Sequence, residues 1–371
     1  MTSPGEPAPR PLRIVQVVPS LCRGGAEAFA IDLSDALLRR GHDVHLVHLK
    51  DDTSLRHRAS PELQRRIHLV HKAGRIDPTL IVRLRRLLTT IRPDVVHTHL
   101  FTAMAWGAVA ARAAGVRGVF YTEHAAHADD ERVATWARRP LSRWLRAVAA
   151  CSPATAEAVQ RHGWAPHARL VVIENGVAVD GRPRAAHADR GGAPMEVGTV
   201  GRLVPIKGQQ HLIEAAAILR DRGILVHVTI YGDGPLEAEL RAQIDARDLG
   251  DQVRLAGPTD RVADALAGLD VFVLPSLSEA MPMTLLEAAA AALPLVVTDS
   301  GGGPTLLRAG AGGALVPPGD ARALADALAH LDALGAAGRG ELGARSLAVV
   351  RDQFSLDATA AAYESLYLDS R

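Results

Sequence analysis

The sequence has few aromatic residues and almost no cysteine. Phe, Trp and Tyr together make up 4% of the 371 residues, which disfavours an aromatic-rich β-sandwich and leaves Ala, Leu and Val to form the core. Cys22 and Cys151 cannot build a disulfide framework and do not form a C-x-x-C pair, so a reducing compartment is expected. With 48% hydrophobic and 22% charged residues, the composition predicts a globular cytoplasmic protein.

Long apolar runs and a secretion signal are also missing. The Ala-rich run 285–297 is interrupted by Glu287 and falls short of the roughly 18 apolar residues that a membrane span needs. Residues 1–11 are rich in Pro and small polar residues and lack an apolar segment, which predicts a disordered leader rather than a signal peptide. The sequence therefore predicts no membrane-spanning segment.

The net charge of +1 hides two halves of opposite sign. Residues 1–177 contain 25 Lys and Arg against 16 Asp and Glu, which gives +9, whereas the remainder carries −8. One interpretation is that the first half faces an anionic surface or substrate. The alternative is that an arginine-rich composition is by chance unevenly spread. In 138–146, Leu141, Trp144 and Leu145 alternate with arginines. This pattern predicts a cationic helix on the inner face of an anionic membrane or, alternatively, a helix whose Trp144 faces the core.

Short apolar runs alternate with amphipathic stretches along nearly the whole chain. Near-continuous apolar strands are typical of parallel sheets, and strict strand–helix alternation predicts an α/β doubly wound fold. We predict two Rossmann-like domains, 12–177 and 195–353, a linker at 178–194 that is rich in Gly and Pro, and a last helix at 354–371. The predicted strands cover 14–18, 44–49, 95–98, 119–122, 148–151, 170–173, 197–200, 226–231, 253–256, 271–274, 295–298 and 314–316.

Two positions in the first half follow predicted strands and could bind a ligand. Gly24 and Gly25 open a helix, where backbone N–H groups can approach a phosphate or a sugar, or where the chain simply makes a tight turn. The absence of G-x-G-x-x-G argues against a NAD-dependent dehydrogenase. His124 follows the fourth strand and could donate a hydrogen bond to a sugar hydroxyl or stabilise charge. The other histidines nearby are interpreted as ordinary polar residues.

The second half places charged residues in loops that follow two of its strands. Arg202 and Lys207 flank the start of a helix and could grip a diphosphate, since Arg offers a planar fork and Lys a compact charge; the alternative is two solvated charges. Glu279 is predicted in a loop and Glu287 on the next helix. Because a carboxylate accepts two hydrogen bonds, it suits the vicinal diol of a ribose.

Taken in order, these motifs resemble the family-four (group one) retaining glycosyltransferases of the GT-B architecture. The resemblance spans about residues 12–368 and rests on co-occurrence rather than on any single motif. Its parts are Gly24-Gly25-x-Glu27, Glu123-His124, Glu174-Asn175-Gly176-Val177, Gly201-Arg202-Leu203 with Lys207-Gly208, Tyr231-Gly232-Asp233-Gly234-Pro235, Glu279 with Glu287, and Gly313-x-Leu315-Val316-Pro317-Pro318-Gly319-Asp320.

The resemblance implies two sheets that face a central cleft and a C-terminal helix that crosses back to the first domain. It implies that Arg202 and Lys207 hold the donor diphosphate, that Glu287 holds the ribose and that His124 lies beside the hydroxymethyl end of the sugar. Family members generally need no metal, and the chain has no D-x-D motif, so neither metal nor cofactor is expected. The other residues implied to touch the donor are Gly24, Gly25, Glu279, Ala280, Met281, Pro282 and Met283.

Three departures from the family pattern leave the identity of the sugar open. Thr305 stands where many members have a glutamate, and Ala280 and Ala292 replace frequent glycines. The expected activity is transfer of a hexose, with retention, from a nucleoside-diphosphate sugar to a saccharide or lipid-linked acceptor, with no nucleic-acid partner. The alternatives are a nucleotide-sugar 2-epimerase and a catalytically silent sugar-binding protein on the same fold.

Overall fold

The computed structural model describes residues 10–124, 131–179 and 193–369. Most of the predicted leader 1–11 and linker 178–194 lies outside these residues, so the domain boundary stays our proposal. Within the described part the chain forms two parallel β-sheets with helices packed against them, as predicted. The C-terminal helix returns to the first of them, also as predicted.

The first sheet has seven strands in the order β3-β2-β1-β4-β5-β6-β7, counted over the described residues. The chain order reverses between β1 and β4, which is where open α/β sheets bind ligands beyond the carboxyl ends of their strands. The strands are β1 Arg13–Val18, β2 Asp43–His48, β3 Ile67–Leu69, β4 Val95–His99, β5 Gly118–Glu123, β6 Ala147–Ala150 and β7 Arg169–Val172. The helices are α1 Gly25–Arg39, α2 Pro61–Gln64, α3 Thr79–Ile91, α4 Leu100–Ala113, α5 Glu131–Ser142 and α6 Pro153–His162.

The second sheet has six strands in the order β10-β9-β8-β11-β12-β13 and reverses between β8 and β11. All six were predicted. The strands are β8 Met195–Val200, β9 Val226–Tyr231, β10 Val253–Gly257, β11 Val271–Leu274, β12 Leu295–Thr298 and β13 Gly313–Val316. The helices are α7 Gln209–Asp221, α8 Glu237–Ala246, α9 Val262–Ala267, α10 Met283–Ala290, α11 Thr305–Arg308, α12 Ala321–Ala333, α13 Gly335–Gln353 and α14 Leu356–Leu368.

One strand of the first sheet, β3, was not predicted. It has only three residues, none of them fully buried, and a histidine stands at its centre. An edge strand of this length lacks the apolar run that indicates a buried strand, so only its pairing with β2 reveals it.

Local sequence signals account for where the helices begin and end. Helix α6 starts where the Ser152 hydroxyl accepts a hydrogen bond from the backbone N–H of Thr155, and it ends at Gly163 in a left-handed conformation. Helix α3 buries Leu80, Leu84, Leu88 and Ile91, a stripe at helical spacing that packs against the sheet.

The chain crosses between the two sheets twice, and the two crossings are hydrogen-bonded to each other. Val177, which follows β7, bonds through its N–H to the Phe354 carbonyl at 3.0 Å and through its carbonyl to Leu356 N–H at 2.9 Å. Helix α14 then packs against α1 and buries Tyr363 and Tyr367 under the first sheet. The last helix therefore belongs to the packing of the first domain.

Candidate functional site

The carboxyl ends of the two sheets face each other across a narrow cleft. Helix α1 begins at Gly25 and helix α10 at Met283, one on each side. A side chain on Gly25 would bring its Cβ 3.5 Å from Met283 Cγ. The two helix N-termini are therefore in van der Waals reach of each other, and both lie beside the points where strand order reverses.

The second domain contributes a cationic loop to this cleft. Lys207 Nζ donates to Glu279 Oε1 at 2.5 Å, and Ser276 Oγ donates to the same oxygen at 2.7 Å. Arg202 is exposed and, in the part of the chain that the structure describes, has no ion-pair partner. Among the described residues, the loop thus offers a guanidinium without an ion pair and an ammonium held by a carboxylate, which together can bind an anion.

The loop 279–283, which the resemblance assigns to the donor, rests on closely packed backbone. Gly302 N–H donates to the Glu279 carbonyl at 2.9 Å. A Cβ on Gly302 would lie 1.6 Å from the Ala280 carbonyl oxygen, so only glycine fits there. Asn175, from the first domain, donates through Nδ2 to the Met281 carbonyl at 3.3 Å. Both domains therefore hold this loop in place.

Glu287 is largely buried, with 13% of its side chain exposed, and it is paired with a residue of the first domain. Arg58 donates to Glu287 Oε1 at 2.9 Å and to both carboxylate oxygens of Asp32 at 2.7 Å. Burial raises the pKa of Glu287, and the positive charge of Arg58 opposes that rise. One arginine thus joins a carboxylate on α1 to a carboxylate on α10 and ties the domains together.

Glu27 folds back over the start of its own helix. Its carboxylate occupies the space that a side chain on Gly24 would need, with Oε2 only 2.2 Å from the Cβ position. Burial raises the pKa of Glu27, while its own backbone N–H, the Cys22 thiol and the positive charge of Arg202 oppose that rise. The N-terminus of α1 is therefore already partly satisfied by an internal carboxylate.

His124 lies at the end of a chain of neutral polar groups in the first domain. Its Nε2 is 2.9 Å from His99 Nδ1, and His99 Nε2 is 2.8 Å from Gln16 Oε1. Burial lowers the pKa of His124 to about 3 and that of His99 well below its ordinary value. Both rings are uncharged at neutral pH.

A second hydrogen-bonded branch lies beside the first, with the ring centroids of His97 and His99 4.2 Å apart, and it reaches the C-terminal helix. His97 lies between the Thr122 hydroxyl at 2.7 Å and the Tyr367 hydroxyl at 2.7 Å, and Tyr363 bonds to Thr122 at 2.9 Å. Burial lowers the pKa of His97 to about 3. The histidines that the sequence presented as ordinary polar residues thus include two, His97 and His99, in a buried hydrogen-bonded network.

The two domains are also joined at the rim of the cleft. Arg23, in the loop before α1, pairs with Asp260 in the loop after β10, with a second contact between Nη2 and Oδ2 at 3.1 Å. Both side chains are substantially exposed, so the pair contributes little free energy of its own. The pair shows where the loop before α1 and the loop after β10 approach each other.

Comparison with known proteins identifies the family. Residues 23–180 match the family described as Glycosyltransferase Family 4, and residues 194–333 match Glycosyl transferases group 1. These ranges cover most of the two sheets and the cleft between them. The chain is a family 4 (group 1) glycosyltransferase with the GT-B fold.

The transferase is similar to several named proteins. It is 28% identical over 348 residues to the UDP-Gal:alpha-D-GlcNAc-diphosphoundecaprenol alpha-1,3-galactosyltransferase of Escherichia coli, covering 85% of this chain and 86% of that protein. It is 27% identical over 306 residues to the putative glycosyltransferase EpsF of Bacillus subtilis, covering 78% and 79%. Among solved structures, Anabaena Alr3699/HepE in complex with UDP aligns with a TM-score of 0.81 at 20% identity, over 97% of this chain and 100% of that one.

The residues that the sequence singled out lie at the facing edges of the two sheets. They are Gly24, Gly25, His124 and the segments 202–207 and 279–287. Sequence reasoning missed Arg58, Asp32, Gln16 and His99. Arg58 belongs to a basic stretch whose charge alone gave no sign of a buried partner 229 residues away. Gln16 sits inside an apolar strand, where one polar residue among hydrophobic ones is a signal that could have been used.

The predicted cationic stretch 138–146 is only partly as expected. Helix α5 ends at Ser142, so Trp144 and Leu145 lie in the turn before β6, and Leu145 is buried. Arg138 turns inward to pair with Glu123 at 2.5 Å. The exposed aromatic residue is instead Trp136, at 81%. In the described residues, no helix combines the length and hydropathy that crossing a bilayer requires.

Proposed function

We propose that the transferase moves a hexose from a nucleoside-diphosphate sugar to a hydroxyl of a saccharide or lipid-linked acceptor, with retention at the anomeric carbon. The observation that carries this proposal is that the loop with Arg202 and the Lys207–Glu279 pair borders the cleft where Gly25, at the start of α1, approaches Met283, at the start of α10. Neighbouring structures determined with UDP and with UDP-glucose share the fold, which supports a nucleotide-sugar donor.

In this proposal the charged loop acts on the leaving group. The bond between the anomeric carbon and the diphosphate breaks, and negative charge accumulates on the phosphate. Arg202 and Lys207 stabilise that charge, so that no metal ion is required. Glu279 orients Lys207 through the 2.5 Å contact, and the backbone from Ala280 to Met283 contributes N–H groups at the start of α10.

Retention follows from reaction on one face of the sugar. A double displacement would need a carboxylate nucleophile beside the anomeric carbon. Glu279 is bonded to Lys207 and Ser276, and Glu287 is bonded to Arg58, so both carboxylates of the charged side are engaged. We propose that the leaving phosphate accepts the proton of the acceptor hydroxyl while the new carbon–oxygen bond forms on the same face.

Glu287 and His124 would bind the rest of the donor. Oε1 of Glu287 receives Arg58, which leaves Oε2 for a ribose hydroxyl. His124 is neutral and partly exposed, so it can form a hydrogen bond with the sugar without altering the charge of the site. Gly24 and Gly25 bring the backbone of the first domain close to the donor.

The surface around Trp136 is proposed to contact the membrane that carries a lipid-linked acceptor. A groove of about 1150 Å³ runs between α4 and α5 and combines apolar walls with Arg139, Arg143 and Arg161. An amphipathic surface with an exposed aromatic ring and several basic residues is what binds anionic bilayers, at about 1 kcal/mol for each basic residue. The apolar walls include Ile81, Phe101, Trp106, Val109, Trp136 and Leu141.

Vesicle co-sedimentation tests this contact. We expect binding to vesicles that contain anionic phospholipid at low salt, loss of binding at high salt, and weaker binding by Trp136→Ala. Leu225→Ala is the matched control, because Leu225 is an exposed apolar residue of the other domain. Equal recovery in the supernatant with neutral and anionic vesicles at low salt would refute membrane contact and favour a water-soluble acceptor.

The donor and the reaction are tested together. A panel of nucleotide sugars is screened by thermal shift, since a ligand that binds only the folded state raises the melting temperature. The donor so found is incubated with and without acceptor, and the anomeric configuration of the product is read by NMR. Inversion would refute retention. An epimerised sugar formed without acceptor would instead support the 2-epimerase, which the family's named relatives do not favour.

A further inference from the structure

Three neighbouring strands of the first sheet place a row of polar side chains next to the cleft. Gln16 lies on β1, His99 at the end of β4 and His124 just after β5, and β1, β4 and β5 are adjacent in the sheet. Gln16 and His99 are completely buried. A buried row of hydrogen-bonding groups is rigid, because each group that loses its partner pays a desolvation cost.

The positions of the hydrogens in this row follow from the atoms that meet. Gln16 Oε1 carries no hydrogen, so His99 Nε2, 2.8 Å away, must be the donor. A neutral imidazole has one N–H, and His99 is held neutral by burial, so its Nδ1 is an acceptor. The ring nitrogen of His124 that faces it, Nε2 at 2.9 Å, must therefore carry the hydrogen.

The other ring nitrogen of His124, Nδ1, then carries a lone pair and no hydrogen. His124 is also neutral, so Nδ1 has no hydrogen, and in the described part of the chain Nδ1 makes no hydrogen bond. The ring cannot rotate freely, because Phe29 of helix α1 packs edge-on against it with centroids 5.7 Å apart. An oriented lone pair at the cleft accepts a hydrogen bond; it cannot donate one.

We propose that Gln16 is a positioning residue that, through His99, holds His124 as a neutral imidazole with the hydrogen on Nε2, so that Nδ1 accepts a hydrogen bond from a hydroxyl of the donor sugar. This proposal rests on the proposed function for the role of the sugar, but the hydrogen placement stands on the protein alone. It reverses the polarity that the sequence suggested, since His124 was expected to donate. A sugar position bearing only an acceptor would not satisfy it.

NMR of isotope-labelled histidine ring nitrogens tests the hydrogen placement without donor or acceptor. A ring nitrogen without a hydrogen resonates far downfield of one that carries it. We expect the unprotonated signal on Nδ1 of both His99 and His124 at neutral pH, with His99→Asn and His124→Asn assigning the two rings by loss of their signals.

Two variants separate positioning from general packing. Gln16→Leu removes the acceptor of His99, and the His124 signals should move to the averaged positions of two exchanging forms. Tyr363→Phe removes a buried hydroxyl of the other branch, bonded to Thr122, and should leave the His124 signals unchanged. Protonated Nδ1 on His124 in the wild type, or unchanged His124 signals in Gln16→Leu, would overturn the proposal. Loss of transfer activity with these spectra intact would count against the proposed function instead.

Discussion

The two edges of the cleft differ in kind. The edge of the second domain carries exposed or partly exposed charges, with Lys207 and Glu279 in contact and Arg202 free in the described part of the structure. The edge of the first domain ends in neutral groups: His99 bonds to His124 and to Gln16, and His97 bonds to Thr122 and to Tyr367. One side is suited to an anion and the other to hydroxyl groups.

The difference suits a substrate whose own ends differ. A nucleotide sugar, the proposed donor, has a doubly charged diphosphate and an uncharged sugar, and in the proposed binding mode each half would meet a surface of matching polarity. Charges on the sugar side would be costly to bury and would compete for the diphosphate. The first domain also carries charge near this edge: Arg58 pairs with Glu287 across the cleft, Arg138 pairs with Glu123, and the Glu27 carboxylate covers the start of α1.

Acid should destabilise the neutral edge of the first domain and lower the free energy of unfolding. The folded pKa of His97 and of His124 is about 3, below the ordinary 6.5, so protons bind the unfolded chain first. Stability is complete above pH 6.5 and falls as the pH drops toward 3. With His99 included, the unfolding free energy should fall by up to about 4 kcal/mol per pH unit.

Urea unfolding at pH 7.5 and 5.5 measures this slope. His97→Asn should reduce the slope by up to about 1.4 kcal/mol per pH unit, the contribution of one ring. Leu225→Ala, at an exposed apolar residue of the second domain that does not titrate, should leave the slope unchanged. A wild-type slope that matched the His97→Asn slope would contradict the prediction.

Lys207→Ala tests the charged edge of the second domain. The variant removes a charge from the leaving-group side and leaves Glu279 without its cation, so kcat/KM should fall by about 30- to 1,000-fold, or roughly 2–4 kcal/mol. Arg202→Lys should be almost as harmful, since an ammonium cannot form the two-pronged contact. Steady-state kinetics measures both. The control is Arg241→Ala, an exposed helix pair with Glu237; wild-type turnover in both test variants would refute the diphosphate clamp.

The link between the edges can be cut by Arg58→Ala. Asp32 and Glu287 would then lie in a largely buried space without a cation, and the unfolding free energy should fall by about 2 kcal/mol, less than for a fully buried pair. Arg222→Ala, which removes an exposed pair with Asp326, should cost under about 1 kcal/mol. Denaturant unfolding compares them, and equal losses would mean that the Arg58 pair is no more than a surface contact.

The smallest expected effect is that of metal removal on the transfer rate. If Arg202 and Lys207 neutralise the diphosphate, then excess EDTA should leave the transfer rate unchanged. Rates measured after metal removal and after Mg²⁺ or Mn²⁺ is added back provide the check. An absolute requirement for either ion would show that the cationic loop is insufficient.

Much of this molecule could be predicted from sequence because the signals are local. Apolar runs and the segments between them specified all six strands of the second sheet and six of the seven described in the first. Glycines and charges placed directly after strands indicated the cleft, since parallel strands all end at one edge. The edge strand β3 was missed, because three half-buried residues leave no periodic pattern.

Partners distant in sequence were decided only by the tertiary structure. Arg58 meets Glu287 across 229 residues, and Tyr367 meets His97 across 270. A basic residue looks the same in sequence whether it is solvated or paired, which is why the partners of Arg58 and Arg138 could not be predicted. The same ambiguity left two alternatives for Trp144, the membrane or the core; in the structure it lies in a turn and is partly exposed. The sequence by itself determined which loops and helix starts border the cleft, because they follow parallel strands that end at one edge. Their charge state and hydrogen placement depend on burial and on atoms within about 3 Å, and only the packed chain supplies those.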